Sequence, residues 1–367
     1  MKLSIIVLIL FTFQNALAQV KEEIIYSQIL NEDRRIQIGL PDSYEANDNE
    51  KFPLIFLTDG EWHFDMIYQA TKLIYQNGGP KLMVIGIPNT NRTRDLTISK
   101  SEEDISSGGA NDFIQFLEEE LIPYLEINYR VSNHRTLLGH SAGGLFATYT
   151  MLSKPSLFNA FVAVTPTIRW DNYNILDRFE NKKPEEIIDT SVQFHLSIGN
   201  ETGIERLGVL KLDSIYSSIS LKEYSFIEYP NLSHITVPWN AYFDALNGIF
   251  DKFYVSEEIL NESLNNIKIY FNSLGEQFDY DMKIPQRILL NRGYALLTKN
   301  KLKEALENFQ HYADSYPDVP IPYSNLGDIY VQLAQYEEAK KCYERAYQLY
   351  PTNYVESKLK ELTNNGY

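Results

Sequence analysis

Short apolar runs alternate with amphipathic stretches along most of this chain, from about residue 22 to residue 254. The later runs are rich in Val, Ile, Leu and Phe without polar alternation, which is typical of strands buried on both faces. Strands alternating with helices predict a mostly parallel sheet covered by helices on both sides. We predict strands at 24–30, 35–40, 53–57, 82–87, 136–139, 160–164, 192–198 and 224–229, and helices at 63–76, 111–127, 142–152, 205–218 and 237–253. The first two strands are separated by a few residues, which predicts an antiparallel hairpin at the sheet edge.

A second pattern begins near Pro285, where small, aromatic and proline residues recur with a spacing of 34 residues. This period is typical of the paired helices of tetratricopeptide repeats. We therefore predict a sheet domain at 19–254, a helical connector at 255–284 and two tetratricopeptide repeats at 285–367. The matched pairs are Gly293 and Gly327, Ala305 and Ala339, Phe309 and Tyr343, and Pro317 and Pro351.

The first 18 residues predict a secretory signal peptide. Lys2 precedes an apolar stretch at 3–13, which is too short to span a bilayer, and Ala16-Leu17-Ala18 forms a small-x-small cleavage site. We expect an exported protein, periplasmic or secreted, that is not embedded in a membrane. The net charge of -16 argues against nucleic-acid binding, and the single cysteine, Cys342, excludes an internal disulfide.

The pentapeptide Gly139-His140-Ser141-Ala142-Gly143 matches the G-x-S-x-G pattern. By itself the pattern is common, but here it follows a predicted strand and precedes a predicted helix. A serine in such a strained strand-to-helix turn is a nucleophile elbow, and the helix behind it directs free N–H groups at a developing oxyanion. The sequence therefore predicts Ser141 as a catalytic nucleophile on an α/β-hydrolase fold.

A serine nucleophile needs a base and an acid, which follow it along the chain in that fold. His195 lies within a predicted strand and His311 within the repeats, so His234, in a polar turn before the last helix of the sheet domain, is the predicted base. The acid should follow the strand at 192–198, where Glu201 is the first choice. Glu205 is the alternative, and Asp171, after the preceding strand, is a weaker one.

The oxyanion hole needs two backbone donors. The first predicted donor is the N–H of Ala142, directly after the nucleophile, and the second is the N–H of Glu61, after the Asp59-Gly60 turn. Candidates for lining a substrate pocket, or for simple packing, fall in loops near the strand ends and are Trp62, Trp170, Asp171 and Trp239. The sequence has no metal-ligand spacing, phosphate loop or dinucleotide fingerprint, so we expect neither a metal nor a cofactor.

These residues resemble the family of esterases related to enterochelin esterase, S-formylglutathione hydrolase and the mycolyl-transferring antigen 85 proteins. The resemblance covers roughly residues 22–254 and implies a triad at Ser141, Glu201 and His234 with oxyanion donors at Glu61 and Ala142. Thr165 stands where the family usually has Ser before a Pro. The segments that carry the resemblance are 53–60, 86–88, 94–97, 113–123, 139–144, 154–158 and 165–167.

The predicted activity is hydrolysis of a carboxylic ester by an acyl-enzyme route, with a small-molecule substrate such as a siderophore ester or an acylated sugar. Two alternatives stay open. The same triad would serve an acyltransferase that passes the acyl group to an alcohol, as in the antigen 85 proteins. Otherwise the hydrolase fold is a non-catalytic scaffold, and the repeats bind a protein partner.

Overall fold

The computed structural model describes residues 19–42, 44, 50–102, 104–179, 189, 191–219, 221, 223–279 and 282–367. The predicted signal peptide lies outside these residues. The chain divides into two compact units, one formed by residues up to 72 together with 81–249, and the other by residues 73–80 together with 250–367.

The first unit contains an eight-stranded sheet with the order β1-β2-β4-β3-β5-β6-β7-β8. The pairs β1–β2 and β2–β4 are antiparallel, and the remaining pairs are parallel. Strands β3 to β7 are buried almost throughout, as their unbroken apolar runs predict. The strands are β1 Val20–Ser27, β2 Glu32–Gly39, β3 Phe52–Thr58, β4 Met83–Ile87, β5 Val131–His140, β6 Ala160–Val164, β7 Gln193–Ile198 and β8 Glu223–Glu228.

The structure confirms the predicted hairpin at the sheet edge, but the bounds of β1 were wrong. The strand begins at Val20, four residues before the predicted start at residue 24, and it ends at Ser27. An edge strand exposes much of its surface, so polar residues such as Lys21 and Glu22 can form part of it. Because these residues are not part of an apolar run, the sequence pattern does not predict the start of the strand. The turn that follows is closed by Asn31, whose φ of 53° is left-handed.

Helices connect the strands of the first unit and cover the sheet. The predicted helix at 111–127 is instead a helical stretch from Ala110 to Asn128 that is interrupted by a π-helical turn at Leu117–Leu121. The helix predicted at 237–253 ends instead at Ile249, and a short 3₁₀ turn follows it. The helices are α1 Gly60–Gln76, α2 Arg92–Leu96, α3 Ala110–Phe116, α4 Ile122–Asn128, α5 Ala142–Ser153, α6 Trp170–Asp177, α7 Gly203–Ser217 and α8 Val237–Ile249.

The second unit is helical over the residues that the structure describes, and it contains the predicted tetratricopeptide pairs. Helices α11 and α12 form the first pair, α13 and α14 form the second, and α15 packs against α14. Two further helices precede the repeats. The bounds are α9 Glu257–Leu260, α10 Leu264–Phe278, α11 Gln286–Thr298, α12 Leu302–Ser315, α13 Pro320–Gln332, α14 Tyr336–Leu349 and α15 Asn353–Asn364.

The two repeats share one packing device, a glycine that faces an aromatic ring. A Cβ at Gly293 would lie 2.3 Å from the Phe309 ring, and a Cβ at Gly327 would lie 2.5 Å from the Tyr343 ring. Both rings are fully buried. The period of 34 residues therefore reflects a repeated close approach of two helices that only glycine permits.

Replacing Gly327 with Ala should lower the free energy of unfolding by about 1–3 kcal/mol, because overpacking against Tyr343 outweighs the better helix propensity of Ala. Urea unfolding of the full chain measures this change. Gln332→Ala, at an exposed position of the same helix, should change the free energy by less than about 0.5 kcal/mol. An unchanged or higher midpoint for Gly327→Ala would contradict the proposed packing.

Candidate active site

The chain turns sharply at Ser141, between the end of β5 and the start of α5. Ser141 has φ 59° and ψ −118°, a strained conformation for a residue with a side chain. The turn is tight enough that a Cβ at Gly139 would lie 2.0 Å from the Gly143 carbonyl oxygen, and a Cβ at Gly143 would lie 2.3 Å from Thr58 Oγ1. Both flanking glycines are therefore required, which is the geometry of a nucleophile elbow.

The segment after β6 supports the turn at Ser141. The Ser141 N–H donates to the Val164 carbonyl at 3.0 Å, and the Thr167 N–H donates to the Ser141 carbonyl at 3.1 Å. Ser141 Oγ lies 3.3 Å from Thr167 Oγ1. Because these backbone bonds fix both sides of the serine, its hydroxyl is held at the carboxyl edge of the sheet.

His234 lies in the loop between β8 and α8, and its ring contacts the predicted acid. The distance between His234 Nδ1 and Glu201 Oε1 is 2.8 Å, and only 9% of the Glu201 side chain is exposed. The two loops are also joined through their backbones, because the Asn200 N–H donates to the Leu232 carbonyl at 2.8 Å. A carboxylate in this position orients the imidazole and stabilises its protonated form.

The alternative acids lie elsewhere. Glu205, in the first turn of α7, pairs with the Arg169 guanidinium. Asp171 is the first of three successive residues with left-handed φ at the start of α6. Of the three candidate carboxylates, Glu201 is the one that the structure brings to the His234 ring.

His140 connects the nucleophile turn to the His234 loop. Its ring packs on the His234 ring at a centroid distance of 4.6 Å, and it also interacts with the backbone of His234. The pKa of His140 is lowered to about 3, mainly by burial and in smaller part by the nearby His234 and His63 rings. His140 is therefore neutral across the ordinary pH range. This contact cannot be predicted from the sequence, in which His140 is only the variable residue of the pentapeptide.

The two predicted oxyanion donors belong to the first turns of two helices. Glu61 is the second residue of α1 and Ala142 is the first residue of α5. The first N–H groups of a helix have no partner within the helix, so they are suited to bind an anion. Gly60 is required before Glu61, because a Cβ there would lie 2.7 Å from the Ile87 backbone nitrogen.

Two of the three tryptophans considered as pocket residues are exposed. Trp62 follows Glu61 and is 62% exposed, and Trp239, the third residue of α8, is 66% exposed. Trp170 instead donates its indole N–H to the Ser99 carbonyl at 3.2 Å. Across the described part of the chain, no cluster of three His, Cys, Asp or Glu side chains suits a metal ion, and no helix is long and apolar enough to cross a membrane.

A sharply turned serine after a central strand of a mostly parallel sheet, together with a histidine hydrogen-bonded to a buried carboxylate, is the arrangement of a carboxylic ester hydrolase. The chain belongs to the family described as Putative esterase, whose model matches residues 27–240. A second model, described as Tetratricopeptide repeat, matches residues 320–353, the second of the two predicted copies.

Curated relatives and solved structures agree with this family. Ferri-bacillibactin esterase BesA of Bacillus subtilis is 28% identical over 243 residues, which cover 56% of this chain and 82% of that protein. A siderophore triacetylfusarinine C esterase of Aspergillus fumigatus is 28% identical over 156 residues, covering 38% of this chain and 53% of that protein. An IroE-like serine hydrolase from Shewanella oneidensis superposes with a TM-score of 0.69 at 23% identity, over 80% of this chain and 99% of that chain, which shows a shared fold.

Glu201→Gln should lower kcat by a factor of about 10² to 10⁴, because the amide no longer stabilises the imidazolium of His234. Glu205→Gln is the matched control, and it should leave kcat within about twofold because Glu205 pairs with Arg169. Steady-state hydrolysis of a p-nitrophenyl ester measures both variants. A larger loss in Glu205→Gln than in Glu201→Gln would reverse the assignment of the acid.

The buried histidines predict that the protein loses stability in acid. Burial lowers the pKa of His195 to about 4 and that of His140 to about 3, below the value near 6.5 of an unfolded chain. As pH falls from about 6.5 toward 4, these two histidines bind protons in the unfolded chain but stay neutral in the folded chain. The free energy of unfolding should therefore fall, by up to about 1.4 kcal/mol per pH unit for each histidine.

His195→Gln should make this dependence shallower, because it removes one such group, whose ring contacts Ser225 and Gly248 rather than the candidate site residues. Urea unfolding at pH 5, 7 and 8 measures the slopes. Between pH 7 and 8 both histidines are mostly neutral in the folded and in the unfolded chain, so the free energies of unfolding of the variant and the unmodified protein should change almost in parallel. Equal slopes between pH 7 and 5 would contradict the role given to His195.

Proposed function

We propose that this protein is a serine esterase that hydrolyses siderophore-type esters through an acyl-enzyme on Ser141. The observation that carries the proposal is the strained turn at Ser141, because the adjacent residue His140 packs on the ring of His234, which is hydrogen-bonded to Glu201. A free serine hydroxyl is a poor nucleophile, and a base held by a carboxylate is the usual means of activating it.

In the proposed first step, His234 Nε2 takes the Ser141 hydroxyl proton while Oγ attacks the ester carbonyl carbon. The Nδ1–H of His234 meanwhile donates to Glu201, which balances the charge that forms on the ring. The N–H groups of Glu61 and Ala142 stabilise the negative charge on the carbonyl oxygen. Collapse of the tetrahedral intermediate expels the alcohol, which receives its proton from His234.

In the second step, His234 removes a proton from water, and the resulting nucleophile attacks the acyl carbon. The acid is released and Ser141 regains its proton. The neutral state of His140 supports both steps, since a charged ring at 4.6 Å from His234 would oppose protonation of the catalytic imidazole.

The substrate class rests on the named activities of the relatives. BesA matches this chain over most of its own length and is named for a bacillibactin ester, and the Aspergillus relative is named for triacetylfusarinine C. The exposed indoles of Trp62 and Trp239, which follow the oxyanion loop and the His234 turn respectively, suit a substrate with aromatic or other apolar groups.

We expect the protein to cleave ferri-bacillibactin with a kcat/KM at least about tenfold above that for an acetylated xylo-oligosaccharide. Ser141→Ala should lower both activities by a factor of about 10³ or more, because the acyl-enzyme no longer forms. Ser153→Ala, at the other end of the same helix, is the control and should retain activity. Liquid chromatography with mass spectrometry identifies the products.

The product masses separate the possible outcomes. Free acid and alcohol indicate hydrolysis, whereas a new ester formed with an added alcohol would indicate acyl transfer. A preference for the sugar ester would contradict the siderophore proposal, and no cleavage of any ester by the unmodified protein would contradict the esterase proposal as a whole.

A further inference from the structure

The segment Thr165-Pro166-Thr167 follows β6, and its strained conformation is held by contacts at both ends. We call it the threonine bridge. Thr165 is 3% exposed and has a left-handed φ of 42°. A positive φ is an outlier for a β-branched residue, and such strain persists only where the surrounding structure imposes it. The neighbours of the threonine bridge therefore fix its backbone.

Thr167 contacts the nucleophile turn twice. Its N–H donates to the Ser141 carbonyl at 3.1 Å, and its Oγ1 lies 3.3 Å from Ser141 Oγ. In the proposed reaction the Ser141 hydroxyl gives its proton to His234, so the Thr167 hydroxyl is the donor of this pair. A donor on the other side of Ser141 Oγ restricts the rotation of the nucleophile and leaves a lone pair free for attack.

The first turn of α5 packs directly against the threonine bridge. A Cβ at Gly144 would lie 3.0 Å from Pro166 Cα and 3.1 Å from the Val164 carbonyl oxygen. Such a close approach leaves the bridge no room to move towards the helix. The Thr167 hydroxyl is therefore held at a fixed place beside the start of α5.

Thr165 joins the bridge to the loop at 199–201, which carries the proposed acid. The Thr165 N–H donates to the Ser197 carbonyl at 2.7 Å, and the Gly199 N–H donates to Thr165 Oγ1 at 3.2 Å. Gly199 is in close contact with the acid, because a Cβ there would lie 2.9 Å from Glu201 Oε2. A shift of Gly199 would therefore displace the Glu201 carboxylate from the His234 ring.

We propose that the two hydroxyls of the threonine bridge are positioning groups for the catalytic residues. The Thr167 hydroxyl sets the orientation of the Ser141 hydroxyl, and the Thr165 hydroxyl sets the place of Gly199 and hence of Glu201. Neither threonine binds the substrate. Because both lie on one three-residue segment, the bridge fixes the nucleophile and the acid relative to each other. This inference rests on the proposed esterase function and adds two residues to its machinery.

Thr167→Val removes the hydroxyl and keeps the shape of the side chain. It should lower kcat for a small neutral ester by about tenfold with KM within about twofold, because a misdirected nucleophile affects the transition state rather than substrate binding. The rate at which a fluorophosphonate labels Ser141 should fall by a similar factor. Thr167→Ser keeps the hydroxyl, so it should retain most of both rates.

Thr150→Val is the matched control, because it makes the same change at a buried threonine of α5. Thr150 Oγ1 donates to the Phe146 carbonyl at 2.8 Å, within the helix. This variant should keep kcat and the labelling rate within about twofold of the unmodified protein. Circular dichroism and thermal unfolding of every variant separate loss of the fold from loss of catalysis.

Variants at Thr165 test the other end of the bridge and keep the experiment decisive if Thr167→Val does not fold. Thr165→Val should lower kcat by about tenfold, whereas Thr165→Ser, which keeps the hydroxyl, should stay within about threefold. In the Glu201→Gln protein, Thr165→Val should lower kcat by less than about twofold more, because the Thr165 hydroxyl acts through Glu201.

The opposite results would overturn the proposal. Unchanged kcat in both valine variants, or the same loss in Thr150→Val, would remove the positioning roles. Equal losses in Thr167→Ser and Thr167→Val would show that the Thr167 hydroxyl does not act, and a rise in KM at constant kcat would show that it binds substrate instead. If the unmodified protein neither cleaved an ester nor reacted with the fluorophosphonate, the proposed function itself would fail. That result is distinct from an active protein whose valine variants are unaffected.

Discussion

The close approach of Gly139 and Gly143 is the constraint on which the candidate site depends. A Cβ at Gly139 would overlap the Gly143 carbonyl, so β5 can turn directly into α5 only with glycine at that position. The turn forces Ser141 into its strained conformation, places the first N–H groups of α5 behind it, and presents His140 to the His234 ring. One backbone contact therefore positions the proposed nucleophile and a proposed oxyanion donor, and it connects the turn to the loop of the proposed base, His234.

Three carboxylates around the site each have a fixed hydrogen-bonding partner. Glu201 faces His234, Arg92 faces Asp59, and the Glu61 carboxylate is held by Asn89. The histidine nearest to His234, His140, is kept neutral by burial. In the proposed reaction, the new charges are the His234 imidazolium and the oxyanion. Glu201 would face the first, and the N–H groups of Glu61 and Ala142 would face the second. Such preorganised partners need no rearrangement during the reaction, which is the main source of electrostatic catalysis.

The sequence was sufficient for those features that local patterns determine. Ser141 lay in a recognisable strand-to-helix turn, Glu201 followed a buried strand, and the spacing from Gly293 to Gly327 marked the repeated helix packing. Features that arise from tertiary contacts were missed. The pair of Asp59 and Arg92 joins loops that are distant in sequence, and the polar edge strand β1 has no apolar pattern of its own. The π-helical turn at Leu117–Leu121 was also missed, because it hardly changes the helical spacing of the apolar residues in the sequence.

The central claim is that Ser141 is a nucleophile activated by His234, and covalent labelling followed by peptide mapping tests it most directly. After treatment of the full chain with a fluorophosphonate, mass spectrometry should find a single adduct, on the peptide that contains Ser141. In the His234→Ala variant the labelling rate should fall by a factor of about 10³ or more. An adduct on a different residue, or undiminished labelling without His234, would contradict the account.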